Sequence, residues 1–148
     1  MSEPVWITRE IVLAVQSELI ARFGGLNGLR NEGLLDSALN RPRQLWRYAQ
    51  ADLPELAAVY AEALVKNHLF LDGNKRVGFM MAYTFLAANG LQFVAPEEQA
   101  VLQTLALAAG EIDGEDYALW LADHSVPRGK KPARKARRTA KPARKPRR

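Results

Sequence analysis

Between His68 and Arg76 the chain reads His-Leu-Phe-Leu-Asp-Gly-Asn-Lys-Arg, and its polar residues are ones that chemistry at a phosphate can use. Gly73 lets the backbone turn tightly and come close to a ligand. Asn74 can cap the helix that follows, and the unpaired N–H groups of that helix's first turn point toward any anion placed before them. Lys75 and Arg76 stand in that first turn, where the helix dipole is already positive. A helix built only for stability would carry Asp or Glu there. Two cations on a positive helix end, behind a glycine turn, indicate a phosphate site made of Gly73, Asn74, Lys75 and Arg76. Asp72 adjoins it as a carboxylate able to hold Mg²⁺, an ion that takes few protein ligands and completes its shell with phosphate and water. His68, on the same loop, can take a proton from an attacking hydroxyl. The set fits phosphoryl or nucleotidyl transfer to a hydroxyl, in which catalysis is mainly positioning and charge stabilisation.

Taken singly, each residue has a plainer role. His68 would be a helix cap, Asp72-Gly73 a turn, Lys75 and Arg76 solvated surface, and Phe70 a core residue under either reading. The joint spacing carries the signal.

Helices must position this loop. Thr8 reads as an N-cap for a helix through Ile11, Val12, Val15, Leu19 and Ile20 that stops at Gly24-Gly25. Asn31 caps a short helix through Leu34, Leu35, Ala38 and Leu39, expected to end before Pro42. Asp52-Leu53-Pro54-Glu55 has the form of a capping box and starts an alanine-rich helix to about Asn67. An apolar helix from about Lys75 to Ala88 follows the loop and closes at Asn89-Gly90. Leu91 to Val94 is the one candidate extended segment. Pro96 opens a helix that ends at Gly110, and Asp113 caps a last one through Tyr117, Trp120 and Leu121. The expected class is all-α.

The 148 residues allow one domain. With no cysteine, disulfides, thiolate metal sites and cysteine nucleophiles are excluded. Met1 to Thr8 shows no basic start or apolar run of a targeting segment. The uncharged helical stretch Val77 to Ala88 would span about 18 Å, too short for a bilayer core. A cytoplasmic protein with no membrane contact is expected. Twelve of the 21 Lys and Arg, and no acid, lie in residues 127–148, so the preceding domain, residues 1–126, is itself acidic. After Val126 no apolar side chain exceeds alanine, and Lys-Pro-Ala-Arg-Lys occurs twice, at Lys131 and at Lys141. Residues 127–148 therefore read as a disordered polycation. Such a tail is either a solvated extension or a non-specific binder of RNA, DNA or ribosomes. Lacking aromatic residues, it offers no base stacking.

The motif His68–Arg76 resembles the signature of the Fic/Doc superfamily, and within it the death-on-curing (Doc) branch. Phe23 to Pro42 and Phe85 to Gly90 resemble that family's flanking stretches, so the resemblance covers about Ile7 to His124. It implies a compact helical bundle of about six helices. It also implies an ATP- and Mg²⁺-dependent kinase in which His68 activates the acceptor hydroxyl, Asp72 holds Mg²⁺, and Asn74, Lys75 and Arg76 contact the phosphates. Relatives that transfer AMP carry a second glycine where this chain has Lys75, and a further arginine where it has Phe79. Gly73, where some Doc proteins have alanine, keeps AMP transfer as an alternative, and a catalytically silent binding module is a third reading. Leu69 replaces a proline common in relatives, a change expected in loop stiffness. Doc proteins are toxins that phosphorylate a threonine of elongation factor Tu and are restrained by an antitoxin peptide, so the resemblance implies those partners. Of the remaining residues, Arg30, Asn31 and Glu32 are expected to brace the site or touch substrate, with Asn31 a cap, and Lys66 to add positive field. His124 is expected at a helix end, and Trp6, Trp46 and Trp120 in the core or a groove.

Overall fold

Small residues allow the two central helices to lie close. Ala57, Ala58, Ala61 and Ala63 are buried on the helix Leu53–Asn67. Gly78, on the helix Asn74–Ala88, leaves so little room that a Cβ there would meet Val65 Cγ1 at 2.6 Å and the Ala61 carbonyl oxygen at 3.2 Å. A computed structural model of the chain describes residues 2–128 around this pair. In order, the elements are α1 (Arg9–Phe23), α2 (Glu32–Ala49), α3 (Leu53–Asn67), α4 (Asn74–Ala88), β1 (Leu91–Phe93), α5 (Glu97–Ala109), α6 (Gly114–Asp123) and β2 (Ser125–Pro127). α2 and α6 lie against α3, while α1 and α5 lie against α4. The class is all-α, as expected, with six helices among the described residues.

Four of the six described helices, α1, α2, α3 and α6, start where the sequence provides a side-chain acceptor for orphan N–H groups. The side chain of Thr8 accepts from the Ile11 N–H and that of Asn31 from the Leu34 N–H. Asp52 with Glu55, and Asp113 with Asp116, form reciprocal capping boxes. His124 caps the end of α6, its Nδ1 3.0 Å from the Trp120 carbonyl oxygen.

Two expectations are corrected. α2 does not end before Pro42 but runs through it to Ala49. Proline removes one intrahelical N–H and crowds the carbonyl four residues back, at a cost of about 3 kcal/mol. Burial offsets that cost: Pro42 is itself buried, and the last turns bring Leu45 and Trp46 against the core. Trp6 meets Trp46 edge-on at 6.3 Å and stacks on Phe85 at 5.9 Å, so two of the three tryptophans come together. The second correction concerns extended structure. β1 is not alone: it pairs antiparallel with β2, with Leu91 opposite Pro127, Gln92 opposite Val126 and Phe93 opposite Ser125.

β2 carries the fold past the expected end of the domain at residue 126. The Arg128 N–H donates to the Gly90 carbonyl at 2.9 Å, and Arg128 Nη1 to the Ala87 carbonyl at 3.0 Å. Both acceptors are at the C-terminal end of α4, the end opposite the motif. Of the disordered tail expected at residues 127–148, residues 129–148 lie outside the described residues. Among the described residues no helix is long and apolar enough to cross a membrane.

Candidate active site

The motif is the connection from α3 to α4. His68 caps α3 in the left-handed region, at φ 48° and ψ 57°. Such backbone costs a non-glycine residue of order 1–3 kcal/mol and persists only where its surroundings hold it. Here the loop between α1 and α2 does so, running antiparallel to the motif. Leu29 bridges Phe70, the Arg30 N–H donates to the Leu69 carbonyl at 2.7 Å, and the Leu71 N–H donates to the Gly28 carbonyl at 3.0 Å. The Arg30 guanidinium adds a bond to the His68 carbonyl at 3.3 Å. Leu69 and Phe70 are fully buried and anchor the loop from beneath. The expected bracing role of Arg30 is thus realised through the backbone of His68 and Leu69. Asn31 is a cap, and Glu32 ion-pairs with Arg9 at 3.1 Å. Lys66 is exposed on the last turn of α3.

At the start of α4 the structure departs from expectation. Asn74 is not the cap; Gly73 is, at φ +81°, a backbone conformation that favours glycine. The Asn74 side chain instead closes the motif on itself. Its Oδ1 accepts the Phe70 N–H at 2.9 Å, and its Nδ2 donates to the Phe70 carbonyl at 3.0 Å. With its amide so engaged, Asn74 can meet a ligand through its backbone. The first backbone bond of α4 runs from the Val77 N–H to the Gly73 carbonyl at 2.9 Å. The N–H groups of Asn74, Lys75 and Arg76 therefore precede it without intrahelical partners. Lys75 and Arg76 are exposed, and neither makes an ion pair with any described residue.

Asp72 is half-buried and faces the α1–α2 loop. Its Oδ2 accepts the Leu26 N–H at 2.7 Å. A Cβ on Gly25 would lie 3.0 Å from Asp72 Cβ, so glycine permits this close approach. Gln16, only 2 % exposed on α1, donates from Nε2 to the Asp72 backbone carbonyl at 3.4 Å. Oδ1 has no partner among the described residues. One free carboxylate oxygen suits Mg²⁺ when phosphate and water complete its shell, and is too little for an ion held by protein alone. No group of three His, Cys, Asp or Glu side chains converges among the described residues.

Two cavities flank Lys75. The larger, of about 540 Å³, includes Gly73, Asn74, Lys75 and Arg76 on α4, with Phe23 of α1 and Glu97 and Thr104 of α5. The smaller, of about 440 Å³, includes His68, Lys75, Leu102, Leu105 and Glu111. The residues expected to bind phosphate thus share one groove, and the expected base lies in its neighbour. Asp72 lines neither. Phe79, in place of a further arginine, sits among Tyr83, Phe93 and Trp120 at centroid distances of 6.2, 5.7 and 6.5 Å. Behind the larger groove Thr104 shares a hydrogen bond with Tyr117 at 2.8 Å, and burial pushes the Tyr117 hydroxyl up to about 12.

Sequence reasoning missed Gln16, Phe23 and the α5 wall. Gln16 could have been found: it follows Val12 and precedes Ile20 at helical spacing, a polar residue on an apolar face. No local pattern marked the α5 residues, because their role depends on how α5 lies against α4.

The sequence model of the Fic/DOC family matches residues 6–86. The chain is similar to "Protein kinase doc" of Escherichia phage P1, 36% identical over 113 residues that cover 76% of this chain and 89% of that one. It is also similar to "Toxin Doc" of Mycolicibacterium smegmatis (strain ATCC 700084 / mc(2)155), 41% identical over 93 residues covering 61% of this chain and 68% of that one.

Proposed function

Since the chain belongs to the Fic/DOC family and to its Doc branch, we propose that it is the toxin of a toxin–antitoxin pair. In this reading it is a cytoplasmic protein kinase. It transfers the γ-phosphoryl group of ATP to a serine or threonine hydroxyl of a translation factor like elongation factor Tu, inhibits translation, and is silenced by an antitoxin peptide. One observation carries the chemistry: Lys75 stands between a groove lined by the phosphate-binding helix end and a groove lined by His68. A donor and an acceptor can each occupy one groove and meet at that lysine.

The polyphosphate would lie against the free N–H groups of Asn74, Lys75 and Arg76, with both cations balancing its charge. The acceptor hydroxyl would enter beside His68. The imidazole takes the hydroxyl proton while the oxygen attacks the γ-phosphorus. The bond to the β–γ bridging oxygen breaks, and its electron pair leaves on ADP. Mg²⁺, which Asp72 would hold through its free oxygen, supplies neutralisation of phosphate charge. Phosphoryl transfer is favoured over AMP transfer because Lys75 fills space that a glycine would leave open, and because an apolar Phe79 stands where AMP-transferring relatives have an arginine.

The test is label transfer from ATP to purified elongation factor Tu with Mg²⁺, with γ- and α-label in parallel. Transfer of γ-label alone supports the proposal. Transfer of α-label would mean AMP transfer and overturn the reading of Lys75. If neither label moves, a repeat on whole lysate decides between a different target and a silent module.

The polycationic residues 127–148 support non-specific contact with RNA or ribosomes, made through phosphates and weakened by salt. Arg128, the last described residue, is bonded at the C-terminal end of α4. A chain ending at residue 128 is expected to lose co-sedimentation with ribosomes at low salt. Unchanged co-sedimentation would refute the contact.

A further inference from the structure

Among the described residues two arginines make ion pairs, whereas Arg43 and Arg76 lie over aromatic rings. Arg9 pairs with Glu32 and Asp36, and Arg22 pairs with Glu18. Arg76 has no carboxylate within ion-pair distance. Its guanidinium carbon lies instead over the ring of Phe23, 4.3 Å from the centroid. Phe23 is the last residue of α1 and is 54% exposed, and it lines the same groove as Arg76. At this helix end Phe23 gains little from burial, and the Arg76 guanidinium covers one face of its ring.

The kind of partner matters. A carboxylate at Arg76 would neutralise the charge that a phosphate needs and would occupy its N–H groups. A ring face attracts the cation through its quadrupole and offers no lone pair, so the guanidinium keeps its donors free while losing freedom of rotation. A planar fork held in one place at a helix N-terminus is the arrangement that meets a phosphate with two parallel hydrogen bonds. We propose that Phe23 is a positioning residue: it holds the Arg76 guanidinium, unneutralised, in the larger groove for the phosphates of the bound nucleotide. The proposal rests on the reading above that Arg76 meets phosphate.

The experiment measures calorimetric binding of a non-hydrolysable ATP analogue with Mg²⁺ to the full chain and to Phe23→Leu, Phe23→Trp, Arg76→Ala and the double variant Phe23→Leu/Arg76→Ala. Phe23→Leu keeps an apolar side chain at an exposed position, and thermal melting checks that folding is unchanged. Arg76→Ala is expected to weaken binding at least tenfold, as loss of a charged hydrogen-bonding group does. Phe23→Leu should weaken it about two- to fivefold, the worth of an exposed cation–π contact. Phe23→Trp should bind as the natural chain does. In the Arg76→Ala background, Phe23→Leu should have no further effect, since the ring has nothing left to hold. If Arg76→Ala weakens binding while Phe23→Leu does nothing, or adds its full effect in the double variant, the positioning role falls and the phosphate reading stands. If Arg76→Ala itself leaves binding unchanged, both fall.

Discussion

Replacing His68 by alanine is expected to lower γ-phosphoryl transfer by roughly 10²–10⁴-fold, the usual worth of a general base, with the fold intact. The imidazole is exposed and makes no hydrogen bond among the described residues; the bond to Arg30 uses the His68 carbonyl, which alanine retains. The loss should appear in kcat at saturating ATP, with little change in nucleotide affinity, because the phosphate contacts belong to the other groove. His68→Gly serves as a control for backbone strain, since glycine adopts the positive φ at this position without penalty. If strain set the rate, the glycine variant would recover activity that the alanine variant lacks. Equal loss in both assigns the effect to the ring. Transfer within a few fold of the natural chain in either variant would remove His68 from the chemistry.

The parts of this site that are local in the chain were legible in the sequence. A turn glycine, two cations in a first helical turn and a buried Phe70 follow from composition and spacing over nine residues, because helix ends obey local rules. The caps at Thr8, Asn31, Asp52 and Asp113 were legible for the same reason. Pro42 misled because the proline rule is local while the outcome was tertiary: burial of the residues beyond it outweighed one lost hydrogen bond. β2 was hidden because three residues of Ser-Val-Pro carry no alternation to read, and only pairing with β1 makes them a strand.

Asn74 shows the same divide within the site. Its type and position suited a cap, and Asn side chains choose among nearby backbone groups of similar worth. The αL backbone at Gly73 turns the chain so that the amide meets Phe70, four residues back, at both its N–H and its carbonyl. The contacts that fix the motif from outside, Leu26 on Asp72, Arg30 on His68 and Leu69, and Gln16 on Asp72, join positions between 38 and 56 residues apart, and no spacing rule links them. The sequence therefore carries the motif and points to Arg30 beside it, while the contacts of Leu26 and Gln16 with Asp72 become visible only in the fold.

The second large effect is expected at Asp72, which has two roles that separate by substitution. One oxygen accepts the Leu26 N–H and ties the motif to the α1–α2 loop. The other is the oxygen proposed for Mg²⁺. Asp72→Asn keeps an oxygen that can accept from Leu26 but removes the charge, whereas Asp72→Ala removes both. A neutral amide is a poor ligand for a hard cation that binds through one or two carboxylates, so Asp72→Asn should lose most Mg²⁺-dependent transfer, and raising Mg²⁺ should recover part of it. Its thermal stability should stay near that of the natural chain. Asp72→Ala should be equally inactive and also less stable, by roughly 0.5–1.5 kcal/mol for a hydrogen bond lost at a donor that water can reach. A structural latch alone predicts another pattern: Asp72→Asn would transfer phosphate normally and only Asp72→Ala would fail. Rates and melting temperatures of the two variants, measured across a Mg²⁺ titration, separate these patterns, and normal transfer by Asp72→Asn would sink the metal role.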